Sequence, residues 1–93
     1  MNFPISFVGV NVDGAGAVSD ISIKGCAFST DVQLREQSVI RLMLHIFKEL
    51  QPVSIEAAVV RHVQQGRIGV EFLRIQQADR ERLQLFIRGF RRK

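Results

Sequence analysis

Residues 39–48 place an aliphatic side chain at every second position. Ile40, Leu42, Leu44 and Ile46 fall on one face, with Arg41, Met43 and His45 opposite. A period of two matches the pleat of a β-strand, whose successive side chains point to opposite sides; a helix of 3.6 residues per turn would scatter them. The same alternation recurs along the chain. Phe3, Ile5 and Phe7 alternate with Pro4, Ser6 and Val8. From Val18, Ile21 and Ile23 share one face while Asp20, Ser22 and Lys24 share the other. Within 53–63, Val53, Ile55, Ala57 and Val59 point inward, and later Ile68, Val70 and Phe72 alternate with Gly69 and Glu71. Turn signals separate these runs: Asp13-Gly14-Ala15-Gly16, the polar residues 29–38, and Gln65-Gly66. No helical pattern intervenes between strands, so the expected fold is mainly β, an antiparallel sheet or small barrel.

The period changes only near the end. Leu83, Phe86, Ile87 and Phe90 follow i, i+3, i+4, i+7, which predicts an amphipathic helix over about residues 78–91. Asp79 and Glu81 near its start and Arg88, Arg91, Arg92 and Lys93 at its end suit the helix dipole. Its apolar stripe has to cover something, most simply one open end or face of the barrel. Ninety-three residues give one domain, 1–93, with strands within about 3–75 and one modest core. No apolar run approaches the roughly 20 residues that cross a membrane, and no basic segment leads into an apolar one as in a signal peptide. Cys26 is the only cysteine, which excludes an internal disulfide and points to the cytoplasm.

The net charge of +4 is uneven. Residues 1–34 carry Asp13, Asp20 and Asp31 against Lys24, a net −2; residues 67–93 carry eight positive and three negative groups, a net +5. The basic C-terminal third is a solvated helix and tail or the footprint of an anionic partner.

The segment Asp20-Ile21-Ser22-Ile23-Lys24-Gly25 reads D-x-S-x-x-G. A carboxylate at Asp20 can accept charge-assisted hydrogen bonds from guanine N–H donors. The hydroxyl of Ser22 can donate to an oxygen. Gly25 can adopt a positive φ and leaves room for a ligand to approach the backbone. Lys24 adds a positive charge on the same side. These residue types serve equally as the solvent face of an edge strand and its turn.

Three features in order resemble the PilZ domain family of bacterial cyclic di-GMP signalling. They are Asp20-x-Ser22-x-x-Gly25 followed by Cys26-Ala27-Phe28, then Gly66-Arg67-Ile68-Gly69-Val70-Glu71-Phe72, then the C-terminal helix. The resemblance covers nearly the whole chain. It implies a six-stranded antiparallel β-barrel with a C-terminal α-helix. It also implies a regulatory module for which cyclic di-GMP is the candidate ligand, bound through Asp20, Ser22 and Gly25.

One part of the family pattern is missing. Members that bind the nucleotide carry R-x-x-x-R shortly before the first strand, with guanidinium groups that fork onto phosphates and stack on guanine. In this sequence the first arginine is Arg35. Losing two charge-assisted contacts of roughly 1.5–3 kcal/mol each corresponds to about 100- to 10,000-fold in affinity. Binding is therefore expected to be weak or lost unless other cations substitute, with Arg88, Arg91, Arg92 and Lys93 as the candidates. The alternative is a degenerate PilZ adaptor that acts through a protein partner in pilus or motility control.

Nothing else suggests chemistry. His45 and His62 lie on different strands without metal-ligand spacing. Glu36, Glu49, Glu56, Glu71 and Glu81 show no acid–base pairing, and no phosphate-binding G-x-x-x-x-G-K-S/T loop occurs. No catalytic or metal residue and no cofactor are expected, and the chain reads as a non-enzyme. Cys26 reads as a small packed residue. Phe3, Phe7, Phe72, Phe86 and Phe90 fall on apolar faces and read as core; Phe47, beside Met43 and His45, faces either a docking partner or the helix. A nucleic-acid-binding barrel is disfavoured despite a pI of about 10.2, because such barrels stack bases on exposed aromatics and this chain has no Trp or Tyr. Oligomeric state has no signature in the sequence.

Overall fold

The computed structural model describes residues 2–47 and 51–90, with the side chain of Phe90 excepted. Expectations that involve Lys48, Glu49, Arg91, Arg92, Lys93 or the Phe90 side chain lie outside the described residues. Six strands, β1 (Phe3–Gly9), β2 (Val12–Ile21), β3 (Gly25–Ser29), β4 (Val39–Leu44), β5 (Val53–Gln64) and β6 (Arg67–Arg74), precede one helix, α1 (Gln77–Phe90). They close into a barrel in the order β1-β2-β3-β6-β5-β4, with every neighbouring pair antiparallel. This is the fold class implied by the PilZ resemblance.

Local departures from the strand pattern have identifiable causes. The first reversal is at Val10-Asn11, where Asn11 takes a φ of 58°, and the expected turn Asp13–Gly16 lies inside β2. Its glycines serve close packing instead: a Cβ on Gly16 would fall 2.1 Å from the Ser29 carbonyl oxygen of β3. The second strand stops at Ile21 rather than continuing to Lys24, and the residues after the turn form β3, which alternation alone did not reveal. β4 likewise ends at Leu44, and Ile46 and Phe47 turn off to pack against the core. In β5 the inward series is Val53, Ile55, Ala58 and Val60, with Val59 also buried and Ala57 only half-buried. Register shifts at Ala57/Ala58 and Val60/His62 mark irregularities that reset the alternation there.

The barrel is filled by Ile5, Phe7, Val18, Phe28, Leu42, Leu44, Ile55 and Ile68, all essentially inaccessible. Phe7 and Phe28 meet at 5.6 Å between ring centroids. Helix α1 closes the end where β1, β3 and β5 begin and β2, β4 and β6 finish. Leu83 is fully buried there, and Phe86 packs edge-on to Phe3 at 5.6 Å and to Phe47 at 6.3 Å. The Arg82 guanidinium lies 5.3 Å over the Phe47 ring and donates to the carbonyls of Gln51 and Pro52. Phe47 therefore packs against the helix, the second of the two alternatives for its face. His45 leans on the barrel wall through Ser6 Oγ at 3.0 Å.

Candidate functional site

The turn joining β2 to β3 lies at the helix-capped end of the barrel. Ser22 builds it. Its N–H donates to the Gly25 carbonyl at 2.8 Å, and its Oγ accepts the N–H of Lys24 at 3.2 Å, so a serine two residues ahead replaces a backbone partner. The Phe72 N–H donates to the Lys24 carbonyl at 2.8 Å, which fastens the turn to β6. Gly25 opens β3 against β6: a Cβ there would sit 2.2 Å from the Val70 carbonyl oxygen. Its φ is not positive; Gly66 is the described glycine with that conformation. The expected positive φ at Gly25 is thus incorrect, and close strand approach is what requires glycine.

Asp20, Ser22 and Lys24 do not share one strand face as alternation predicted. Asp20 is in β2, just past a register shift at Val18/Asp20, while Ser22 and Lys24 lie in the turn. All three nevertheless border one shallow depression of about 370 Å³, together with Gly25 and Glu71. Asp20 is exposed, and its carboxylate makes no hydrogen bond or ion pair with another described residue. Glu71, across the depression, is held by Arg61 of β5: Nη2 and Nε each lie 2.9 Å from its Oε1.

A second depression, of about 510 Å³, adjoins the first and shares Lys24 and Glu71 with it. Arg74 from the end of β6 and Arg80 from the start of α1 complete its charged rim, and Ile23, Phe72 and Ile75 line it with apolar surface. Sequence reasoning placed the candidate cations in the last turn of the helix and beyond. It missed Arg74 and Arg80, because their approach to Lys24 depends on how α1 folds back after β6. Among the described residues no group of His, Cys, Asp and Glu could hold a metal ion, and no helix is long and apolar enough to cross a membrane.

Cys26 lies beneath Asp20 in the core cluster. Burial, and secondarily the negative charge of Asp20, push its thiol up to about 12 from 9.0. Such a thiol is not a nucleophile at neutral pH. It also couples folding to alkali. Between the unfolded and folded values the native state keeps a proton that the unfolded chain has released. The stabilisation is fully present below pH 9.0 and is lost as pH rises towards 12. The expected loss is about 1.4 kcal/mol per pH unit. Cys26→Ala should show a shallower decline in urea-melt stability between about pH 9 and 10.5 than the parent; equal slopes would contradict the assignment.

A family model described as PilZ domain matches residues 1–89. The PilZ domain of CeSA from a cellulose-synthesizing bacterium superposes with a TM-score of 0.72 at 13% identity, covering 97% of this chain and 93% of that one. The Bacillus subtilis inhibitor of motility MotI/DgrA superposes with a TM-score of 0.77 at 20% identity, covering 100% of this chain and 50% of that one. The chain thus spans half the length of the motility inhibitor, and at these identities the two likenesses concern the fold. No curated protein sequence matches the chain.

Proposed function

The chain belongs to the PilZ domain family, the regulatory modules of bacterial cyclic di-GMP signalling, and from that premise we propose that it binds cyclic di-GMP at the β2–β3 turn. The observation that carries the reading is Asp20. Ser22 and Gly25 are each explained by the fold, one forming the turn and the other admitting β6. Asp20 is not explained in that way, because its carboxylate is exposed at the edge of an open depression and has no hydrogen-bond or ion-pair partner among the described residues. Two carboxylate oxygens suit the adjacent N–H donors of a guanine edge. Ser22 and Gly25 border the same depression, where the rest of the nucleotide approaches. In this reading the chain acts by binding and not by catalysis, needs no cofactor, and works in the cytoplasm.

Calorimetric titration with cyclic di-GMP tests it. The expected result is saturable heat, with affinity weakened about 10- to 150-fold in Asp20→Ala, the equivalent of 1.5–3 kcal/mol for hydrogen bonds to a charged group. The variant should melt like the parent, since an exposed side chain is removed. Absence of heat at high micromolar ligand would reject direct binding. It would leave the adaptor reading, a module that engages a protein partner in pilus or motility control. That reading draws on Ser22 and Gly25 being accounted for by the fold alone. Loss of cellular activity in Asp20→Ala with fold and partner binding intact would in turn exclude a purely adaptor role.

A further inference from the structure

We infer that Lys24, Arg74 and Arg80 form the phosphate-binding part of the site, an inference that rests on the cyclic di-GMP reading above. The three cations come from three different elements, the β2–β3 turn, the end of β6 and the opening of α1, and border one depression. None has a side-chain hydrogen bond or ion pair with another described residue. Other arginines nearby are engaged: Arg61 holds Glu71, and Arg82 is tied to Asp79 at 3.5 Å and to the carbonyls of Gln51 and Pro52. Among the described residues Glu71 is the one acidic group lining this depression, and its charge is already met by Arg61. An arriving anion therefore meets an uncompensated positive rim.

Arg80 has no reason to be where it is on account of the helix. It stands at the opening turn of α1, where the macrodipole is positive and disfavours a cation. Two positive sources side by side make sense opposite a negative ligand. Position is secured by the backbone: the bond from Phe72 N–H to the Lys24 carbonyl ties the turn to β6 two residues before Arg74. Ile23, Phe72 and Ile75, each half-buried, provide an apolar floor on which a purine ring can lie. Because Lys24 also borders the depression beside Asp20, one molecule with guanine and phosphodiester groups can span both. Guanidinium forks suit phosphodiester oxygens.

The test is calorimetry of cyclic di-GMP against the parent chain, the double variant Arg74→Ser/Arg80→Ser, and the control Arg67→Ser, at two salt concentrations. Arg67 starts β6, at the other end of the barrel, and is exposed. The expected result is a loss of about tenfold or more in the double variant, a weaker salt dependence than the parent, and no change in Arg67→Ser. All three sites are exposed, so melting temperatures should agree, and that agreement is checked first. Parent-like affinity and salt dependence in the double variant would overturn the inference while leaving nucleotide binding at Asp20 standing. An equal loss in Arg67→Ser would overturn it too, since net charge alone would then account for the effect. If the parent itself gives no heat, the cyclic di-GMP reading fails and the inference falls with it.

Discussion

Gly25→Ala should lower the melting temperature by roughly 12–24 °C, the shift that a loss of about 3 kcal/mol produces in a domain of this size. The added Cβ would lie 2.2 Å from the Val70 carbonyl oxygen and 3.3 Å from both the Val70 carbonyl carbon and Glu71 Cα. Every one of these atoms is backbone, so no side chain can rotate away. Either β3 and β6 separate or the turn shifts, and both options break pairing in a closed barrel. Two other glycines provide contrast. At Gly69 the nearest atom to a new Cβ is 3.5 Å away on the His62 ring, and at Gly89 nothing lies within 4 Å. Gly69→Ala should be close to neutral, and Gly89→Ala, in the helix, neutral or stabilising by up to about 1 kcal/mol. Thermal melts of the three variants check the order; a Gly25→Ala protein as stable as Gly69→Ala would show that the β3–β6 approach is not tight. The result also bears on function. Loss of ligand binding in Gly25→Ala would report a damaged barrel, whereas the same loss in Asp20→Ala, with an unchanged melt, reports the site.

The contrast between Gly25 and Asp20 explains how much of the molecule was legible in its sequence. Alternation read from Ile40, Leu42 and Leu44, or from Ile68 and Val70, states which face a strand buries, and these residues are indeed buried. It cannot state where a strand ends. Ile23 continues the period set by Ile21, yet the chain has already turned, because the Ser22 hydroxyl gives the Lys24 N–H a partner outside the ladder. The hairpin at Val10-Asn11 was hidden for a related reason. Asp13, Gly14 and Gly16 carry turn chemistry, but small residues are also what a crowded barrel wall needs, as the Gly16 approach to Ser29 shows. Spacing did bring Asp20, Ser22 and Gly25 to one place, since neighbours across a short turn can hardly be apart. Arg74 and Arg80 lie about 50 residues further on. Their position beside Lys24 depends on barrel closure and helix docking, which no local pattern encodes.

Helix docking itself should depend heavily on one side chain. Leu83→Ala is expected to cost about 2–5 kcal/mol, the range for removing a fully buried leucine where the surroundings cannot collapse. Leu83 is 0% exposed, whereas Leu85 on the same helix is 63% exposed and its replacement should stay within about 0.5 kcal/mol. Beside Leu83 the helix makes specific contacts. Phe86 meets Phe3 and Phe47 edge-on, Arg82 covers Phe47, and Asp79 Oδ1 accepts the Ser54 N–H at 3.2 Å. The aromatic contacts depend on geometry, and the polar ones lie near the surface, so neither can replace the lost apolar burial. Denaturant melts of Leu83→Ala and Leu85→Ala test the difference directly; similar midpoints would mean that α1 contributes little to closing the barrel. Amide exchange would locate the effect, with α1 losing protection before β4 and β5. A loosened helix also carries Arg80 away from Lys24 and Arg74, so Leu83→Ala should weaken anion binding at a temperature where the barrel is still folded. Asp20, fixed in β2, should keep its place under the same conditions, which separates the helix-borne half of the site from the strand-borne half.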